Sequence, residues 1–199
     1  MTKFYFLKNK SFTLIEILIV ISIIVILSIF VFANYRTGQR ELALERATNK
    51  LVQDLRYIQK MALELTIVPG TNIAPAGGYG IYIDIQNPTQ YILFADCDGD
   101  GIYNARGNVC DGQRPELIET VQLEREVEIS RICFFFPGDP EENYKCNDQI
   151  REPYIVYIPP EPLTSIMGGD EARITLGLRE NPNRTKTIFV GYLGVIYIE

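Results

Sequence analysis

The stretch FTLIEILIVISIIVILSIFVFA, residues 12–33, decides the architecture of this 199-residue chain. It is apolar almost throughout, and its only polar side chains belong to Thr13, Glu16, Ser22 and Ser28. An apolar run of this length is enough to cross the hydrocarbon core of a bilayer as a helix. Basic residues precede the run, at Lys3, Lys8 and Lys10. Lysines on that side predict that the N-terminus stays inside the cell and that the larger part of the chain lies outside it.

Two other kinds of N-terminal segment fit this stretch less well. A cleaved secretory signal has a shorter apolar region that ends in a small-x-small site, and no such site closes this run. A plain signal anchor gives no reason for a carboxylate near its start, because an ionisable side chain inside a membrane helix costs about 3 kcal/mol. Glu16 is therefore predicted to have a function. The alternative is that its side chain, one turn inside the run, reaches the lipid headgroups.

The segment KNKSFTLIEILIVISII, residues 8–24, resembles the class III leader and N-methylation motif of type IV prepilins and type II secretion pseudopilins. The resemblance implies that a prepilin peptidase cuts between Ser11 and Phe12 on the cytoplasmic side and methylates the new amino group of Phe12. It also implies that Glu16, the fifth residue of the processed chain, pairs with the amino terminus of a neighbouring subunit and sets the axial register of assembly. Ser11 departs from the family pattern, which nearly always has Gly at this position, and the departure bears on the efficiency of processing.

The helical pattern continues beyond residue 33. Apolar residues recur at spacings of three or four, at Leu44, Ala47, Leu51, Leu55, Ile58, Ala62 and Leu65. Polar residues occupy the other faces, at Arg46, Lys50, Gln53, Asp54, Arg56 and Lys60. This spacing is typical of an amphipathic helix that packs its apolar stripe on a globular domain. We therefore expect one helix over residues 12–65, with 12–33 in the membrane, that ends before Pro69 and Gly70.

Residues 66–199 have the composition of a β-rich domain. Runs of β-branched and aromatic residues alternate with Gly, Pro, Asn and Asp, which predicts strands separated by turns. The runs YGIYIDI and QYILFA, with Asn-Pro-Thr between them, are predicted to form a hairpin. Further strands are predicted at 121–129, 132–136, 154–158, 173–178, 187–190 and 195–198. The predicted fold class is α+β: a long N-terminal helix, half transmembrane and half amphipathic, packed on an antiparallel β-sheet head.

This arrangement is similar to the architecture of pilins. The resemblance divides the chain into a leader peptide at 1–11, the helix at 12–65 and an extracytoplasmic head at 66–199. Within the family, the segment LVQDLRYIQKMALE and the strand-rich tail look most like the minor GspH/FimT-type pseudopilins. The tip-type pseudopilins often lack a carboxylate at the position of Glu16, so its presence argues against that type.

Four cysteines form two pairs with equal spacing in the sequence, Cys97 with Cys110 and Cys133 with Cys146. An even count at matched spacing favours two disulfides that close short loops in an oxidising compartment. Three connectivities are open to four cysteines, and the local pairing is our prediction. The alternatives are reduced buried thiols and a metal site, although the spacing is far wider than that of zinc-binding C-x2-C pairs.

The segment DCDGDGIYN, residues 96–104, resembles the first nine positions of a calcium-binding loop. Oxygen atoms at alternate positions suit a hard divalent cation. The predicted ligands are the side chains of Asp96, Asp98, Asp100 and Asn104 and the backbone carbonyl of Ile102. Gly107 stands where an EF-hand has its bidentate Glu, and we expect Asp111 to supply the missing carboxylate once a Cys97–Cys110 disulfide brings it close. The alternative is an acidic, glycine-rich turn that binds no cation.

Composition limits the functions open to the chain. It contains no His, which removes the usual general base and the commonest metal ligand. It has no nucleophile elbow and no phosphate-binding loop, so we expect no enzymatic activity. Its net charge of −6 argues against nucleic acid as a partner, because an acidic body repels phosphate.

The resemblance implies a structural subunit, a minor pilin or pseudopilin of a type IV pilus or a type II secretion pseudopilus. Its expected partners are prepilin peptidase, the inner-membrane assembly platform and other pilin or pseudopilin subunits. It would begin as a single-pass inner-membrane protein and end in a filament in the periplasm or at the cell surface. The alternatives are a major pilin that forms the fibre itself and a membrane-anchored extracytoplasmic module for calcium binding or adhesion.

Overall fold

A computed structural model describes residues 13–106, 110, 112, 114–137, 144–147, 153–159, 163–166 and 169–199, without the side chains of 30–34 and 163. The chain divides into two compact units, Met1–Arg40 and Glu41–Glu199. The expected leader at 1–11, the cleavage pair Ser11 and Phe12, and the expected ligand Asp111 lie outside the described residues.

One α-helix, α1, runs from Leu14 to Leu63. Thr13 caps its start, because its side-chain Oγ1 accepts the N–H of Glu16 at 3.4 Å. At the other end, Leu65 has a φ of 48°, in the left-handed region. The N–H of Thr66 donates to the carbonyl of Met61 at 3.0 Å, which closes the last turn. The helix therefore begins two residues after the expected start and ends two residues before the expected end.

The described strands follow the helix in chain order. Their bounds are β1 Gly78–Tyr82, β2 Gln90–Asp96, β3 Leu117–Gln122, β4 Val127–Phe135, β5 Tyr144–Cys146, β6 Tyr154–Ile158, β7 Leu163–Ser165, β8 Glu171–Leu178, β9 Asn181–Gly191 and β10 Ile196–Ile198. They form two five-stranded antiparallel sheets, one in the order β3-β2-β1-β6-β7 and the other in the order β10-β9-β8-β4-β5. The first is called sheet 1 and the second sheet 2. The α+β fold class is confirmed.

The predicted hairpin is confirmed, since β1 pairs with β2 and Tyr79 lies opposite Ala95. The single strand predicted over 121–129 is wrong. The chain turns between β3 and β4, where the N–H of Val127 donates to the carbonyl of Glu124 at 2.8 Å. Three consecutive charged residues occupy this turn, at 124–126. Such a run has no apolar side to bury, so strand β3 of sheet 1 ends before it and strand β4 of sheet 2 begins after it.

Two other strand predictions were too short. The segment predicted at 132–136 belongs to β4, which continues across an irregular register between Ile129 and Arg131. The segment predicted at 187–190 is the buried end of the longer strand β9. The short strands β5 and β7 were not predicted, because three residues carry too little periodicity to be recognised.

The part of α1 within Glu41–Glu199 packs its apolar stripe into a core shared with both sheets. Six of the seven predicted stripe residues are buried, at Leu44, Ala47, Leu51, Leu55, Ile58 and Ala62. The seventh, Leu65, lies past the helix end and is exposed. The large buried side chains opposite the helix include Tyr79 and Tyr91 of sheet 1 and Phe134 of sheet 2.

Asp54 was expected on the solvent face of the helix and is buried instead. Its carboxylate accepts the hydroxyl of Tyr91 from β2 at 2.5 Å and the ammonium group of Lys50 at 2.5 Å. A buried carboxylate is tolerated only when it is paired in this way. Burial and this hydrogen bond raise the pKa of Tyr91 well above its usual value, so the phenol stays protonated and keeps donating. The pair fixes the helix against sheet 1.

Candidate functional site

The unit Met1–Arg40 offers the first candidate site, at the start of α1. The carbonyl of Thr13 accepts the N–H groups of Glu16 and Ile17 at 3.1 and 3.3 Å. Glu16 therefore lies in the first turn, beside the positive end of the helix dipole, where a carboxylate is favourable. Its side chain is exposed in the isolated chain. A carboxylate held at a helix start and free on its outer side is able to receive a cationic group from another molecule.

The helix around Glu16 is apolar on every side. Each large apolar side chain from Leu14 to Ile29 is more than half exposed. The hydroxyls of Ser22 and Ser28 donate to the carbonyls of Leu18 and Ile24, at 2.8 and 2.7 Å. Its two serines thus need no partner outside the helix. A helix with an apolar surface all round requires an apolar environment, either lipid or other helices.

Within the described part of the chain, no helical segment combines the length and the apolarity needed to span a membrane.

The acidic loop at residues 96–104 is the second candidate site. Asp96 ends β2 and is buried, and its two carboxylate oxygens accept the N–H groups of Gly99 and Gly101 at 2.7 and 2.9 Å. Gly99 and Gly101 have φ values of 80° and 76°, a conformation that favours glycine. A Cβ at Gly77 would lie 1.8 Å from the Asp96 carboxylate, so the backbone at Gly77 also packs directly against this side chain.

Glu116 completes this cluster and was not predicted from the sequence. It is buried, and its two oxygens accept the N–H groups of Cys97 at 2.9 Å and Asn104 at 2.7 Å. Its own carbonyl accepts the N–H of Ala95 at 2.9 Å, next to the pairing of β2 with β3. The only sequence signal was a carboxylate directly before a strand. Because Glu116 is far from the loop along the chain, its place in the cluster was not predicted.

The structure brings together part of the predicted ligand set. Carboxylate oxygens of Asp96, Asp98 and Glu116 all lie within 4.8 Å of one another. The Asn104 side chain donates to Asp98 and Asp100 at 3.2 and 3.3 Å, and Asp100 accepts the N–H of Ile102 at 2.8 Å. Asp100 is outside the group of three. Glu116 is the third member of this group, and Asp111, to which the sequence assigned the missing carboxylate, lies outside the described residues.

Burial raises the pKa of the Asp96 carboxyl above its usual range, although its two backbone hydrogen bonds oppose the shift. Burial likewise raises the pKa of Glu116, again against two backbone hydrogen bonds. The neighbouring carboxylate of Asp98 adds to both shifts by repulsion. Three carboxyl groups this close are harder to ionise together than apart, and a bound divalent cation would remove that difficulty.

Both disulfides occur in the pairing that the spacing predicted. Cys97 bonds Cys110, with Cα atoms 5.3 Å apart, and so joins the acidic loop to the segment before Glu116. Cys133 bonds Cys146 across the neighbouring strands β4 and β5. The first disulfide shortens the stretch of chain that separates Asp96 and Asp98 from Glu116. It thereby restricts the unfolded chain, which favours the folded loop.

The acidic loop also covers the outer face of sheet 1. The ring of Tyr103 lies 5.5 Å from the rings of both Tyr82 and Phe94. Phe94 is fully buried on this face. Its ring fills the space beside Gly80, where a Cβ would lie 2.6 Å from it. The loop is therefore a packed part of the domain.

Comparison with known proteins found a match in the segment that contains the first site. Residues 7–32 match the family model described as the prokaryotic N-terminal methylation motif. Ser11, Phe12 and Glu16 lie inside the matched segment. No curated protein and no solved structure matches the chain.

Proposed function

Because residues 7–32 carry the N-terminal methylation signal of type IV pilins and pseudopilins, we propose that the chain is a minor pilin or pseudopilin. In this proposal it is a structural subunit of a type IV pilus or of a type II secretion pseudopilus. Prepilin peptidase processes it, and it joins other pilin subunits. The head has no catalytic role, in keeping with a chain that lacks His.

The observation that carries the proposal is the surface of α1 between Leu14 and Ile29, together with Glu16 in its first turn. An apolar helix exposed on all sides must be covered by lipid or by other helices. A carboxylate among those apolar side chains requires a cationic partner once it is covered. The amino group freed at Phe12 is such a cation, and a neighbouring subunit supplies it in the assembled filament.

Before assembly, the segment 12–33 holds the chain in the inner membrane. Its lysine-rich leader stays in the cytoplasm and the head crosses to the other side, as the lysines before the apolar run favour. The disulfides Cys97–Cys110 and Cys133–Cys146 fit an oxidising compartment outside the cytoplasm. The inner-membrane assembly platform then extracts the subunit into the growing filament.

Filaments sheared from cells test this proposal directly. A minor subunit is expected in purified filaments at a small fraction of the main subunit, measured by quantitative mass spectrometry. A chain that makes up most of the filament would instead be the major pilin. Complete absence from filaments, with all of the protein left in the membrane fraction, would support an anchored extracytoplasmic module.

A second proposal concerns the acidic loop, which we infer binds calcium. The specific observation that favours it is the convergence of Asp96, Asp98 and Glu116, two of them buried with raised pKa. These are hard oxygen ligands of the kind that Ca²⁺ prefers, and each buried carboxylate is already oriented by two N–H groups.

Calcium is expected to stabilise the folded chain by about 2.7 kcal/mol when its concentration is a hundred times the dissociation constant. Thermal unfolding of the full-length protein in detergent, with calcium and with chelator, measures the effect. Asp98→Asn removes one exposed carboxylate from the group of three and should abolish the calcium response. Glu119→Gln, an exposed acid on β3, is the matched control and should retain it. An unchanged melting temperature in saturating calcium would contradict the proposal.

Without calcium, we expect the melting temperature to fall as the pH rises above the usual carboxyl range. The pKa values of Asp96 and Glu116 are raised in the folded chain, so the folded state binds these protons more tightly than the unfolded state. Their stabilising effect is complete below the unfolded carboxyl pKa of about 4 and is lost as the pH rises through the raised values.

Melting curves in chelator between about pH 4 and pH 8 measure this slope. Glu116→Gln should flatten it, whereas Glu119→Gln should leave it as in the wild type. The comparison is needed because Glu124 acts in the opposite direction: its hydrogen bond to Arg46 lowers its pKa. An equal slope in wild type and Glu116→Gln would show that the cluster does not control it.

A further inference from the structure

The triplet Asn-Arg-Thr at residues 183–185 carries the acceptor pattern for N-linked glycans, which is Asn-x-Ser/Thr with any residue except Pro in the middle. In this modification a sugar is bonded to the side-chain amide of the Asn. Two other triplets begin with Asn and end with Ser or Thr, at residues 9–11 and 87–89. The first lies in the expected leader, and the second has Pro in the middle. Only residues 183–185 therefore combine the complete pattern with a place in the head.

The structure places this triplet in an irregular part of strand β9. Residues 177 and 178 are neighbours on β8, and their partners on β9 are Thr185 and Asn181. Residues 182–184 consequently bulge out of the ladder, without partners on β8. The backbone at Asn183 is therefore not part of the β8–β9 pairing, so another protein is able to draw it into an active site without opening the hairpin.

Both side chains on which the modification depends are accessible. Asn183 and Thr185 are exposed, and within the described part of the chain neither side chain makes a hydrogen bond. The triplet at 87–89 differs in this respect, because the hydroxyl of Thr89 donates to the Oδ1 of Asn87 at 2.9 Å. The amide of Asn183 and the hydroxyl of Thr185 are thus both available to an enzyme that recognises the pattern.

The middle residue of the triplet contacts the helix. The guanidinium group of Arg184 lies 3.4 Å from the carboxylate of Glu41 on α1. Both side chains are about half exposed or more, and ion pairs on the surface contribute little to stability. The contact therefore keeps the bulge near the helix without preventing an enzyme from displacing it.

We propose that Asn183 is N-glycosylated on the outer side of the inner membrane. This rests on the proposed topology, in which the head crosses to the compartment where its two disulfides form. The sugar donor is an oligosaccharide linked through a diphosphate to a membrane lipid, and a membrane transferase catalyses the transfer. The modification concerns the head alone and is separate from assembly through the N-terminal helix.

The transfer forms one bond and breaks one. The side-chain nitrogen of Asn183 bonds to the anomeric carbon of the sugar, and the bond between that carbon and the diphosphate oxygen breaks. The lipid diphosphate leaves with the bonding electrons, and the amide nitrogen loses one proton to a carboxylate of the transferase. The reaction requires no oxidant and no reductant.

Mass spectrometry of the chain purified from the cells that make it tests the proposal. Cleavage after glutamates releases residues 181–199 as one peptide. We expect this peptide to be heavier than its sequence by the mass of a glycan, and fragmentation should place the added mass on Asn183. The peptide that contains Asn87 is the internal control, because Pro88 interrupts its pattern, and it should have the mass of its sequence.

Three variants check that the pattern is what the enzyme recognises. Thr185→Ser keeps the hydroxyl and should retain the added mass, whereas Thr185→Ala and Asn183→Gln should lose it completely. Formation of both disulfides in each variant establishes that it folds. An added mass on Asn183 that persists in Thr185→Ala would overturn the proposal.

The cysteines of the wild-type sample separate this proposal from the topology on which it rests. An unmodified Asn183 in a chain whose two disulfides are formed would overturn the glycosylation alone. An unmodified Asn183 in a chain with four reduced thiols would contradict the extracytoplasmic head as well.

Discussion

Replacing Glu16 by alanine is expected to leave processing and membrane insertion intact and to lower incorporation into filaments by about a hundredfold. In the assembly that we propose, the Glu16 carboxylate neutralises the amino group of Phe12 on a neighbouring subunit, inside an apolar bundle of helices. Removal of one partner of a buried ion pair costs at least about 3 kcal/mol, because the other charge is left without compensation. A difference of that size corresponds to about a hundredfold in an equilibrium constant.

The measurement is the amount of each variant in sheared filaments relative to the amount in the membrane fraction. Glu45→Ala is the matched control, since Glu45 is an exposed glutamate on the same helix outside the matched motif. It should assemble at the wild-type level. Wild-type incorporation of Glu16→Ala would mean that the carboxylate does not hold subunits together, and that it serves only the first turn of its own helix.

Replacing Leu55 by alanine is expected to destabilise the head by about 3 kcal/mol. Leu55 is fully buried at the centre of the helix stripe, in the core that contains residues of both sheets. Its truncation leaves a cavity that the surrounding strands are unable to fill completely. For a domain of this size the loss should lower the melting temperature by roughly 10 °C.

Leu63→Ala is the control for this effect, because Leu63 ends the same helix and is 45% exposed. We expect it to change stability by less than about 1 kcal/mol. Circular dichroism of the full-length protein in detergent, followed against temperature, measures both variants. Equal melting temperatures for the two would mean that the stripe on α1 is not buried against the sheets in solution.

The helix was predictable because its signals are local. An apolar run followed by apolar residues at spacings of three or four requires a helix wherever it lies in the fold. Asp54 shows the limit of this reasoning. Its position on the helix placed it among polar residues, and only the pairing with Tyr91 of β2 explains why it is buried. The spacing of apolar and polar residues within the helix contains no information about a partner on another strand.

The acidic loop was predictable for the same reason. The carboxylate of Glu116, which joins the loop from outside it, was not. The alternate aspartates at 96, 98 and 100 stand next to one another in the sequence, so their pattern was visible. Glu116 joins them through the pairing of β2 with β3 and the disulfide between Cys97 and Cys110. The disulfide led us to expect Asp111, which lies outside the described residues, whereas the contribution of Glu116 depends on the pairing of β2 with β3, which the loop sequence does not contain.

The central claim is that this chain is a prepilin-type subunit, and its processing tests that claim most directly. Intact mass and N-terminal sequencing follow co-expression with a prepilin peptidase, beside a catalytically inactive peptidase as control. The account predicts a processed chain that begins at N-methylated Phe12 and that appears only with the active enzyme. A chain that still begins at Met1 with the active enzyme would contradict it.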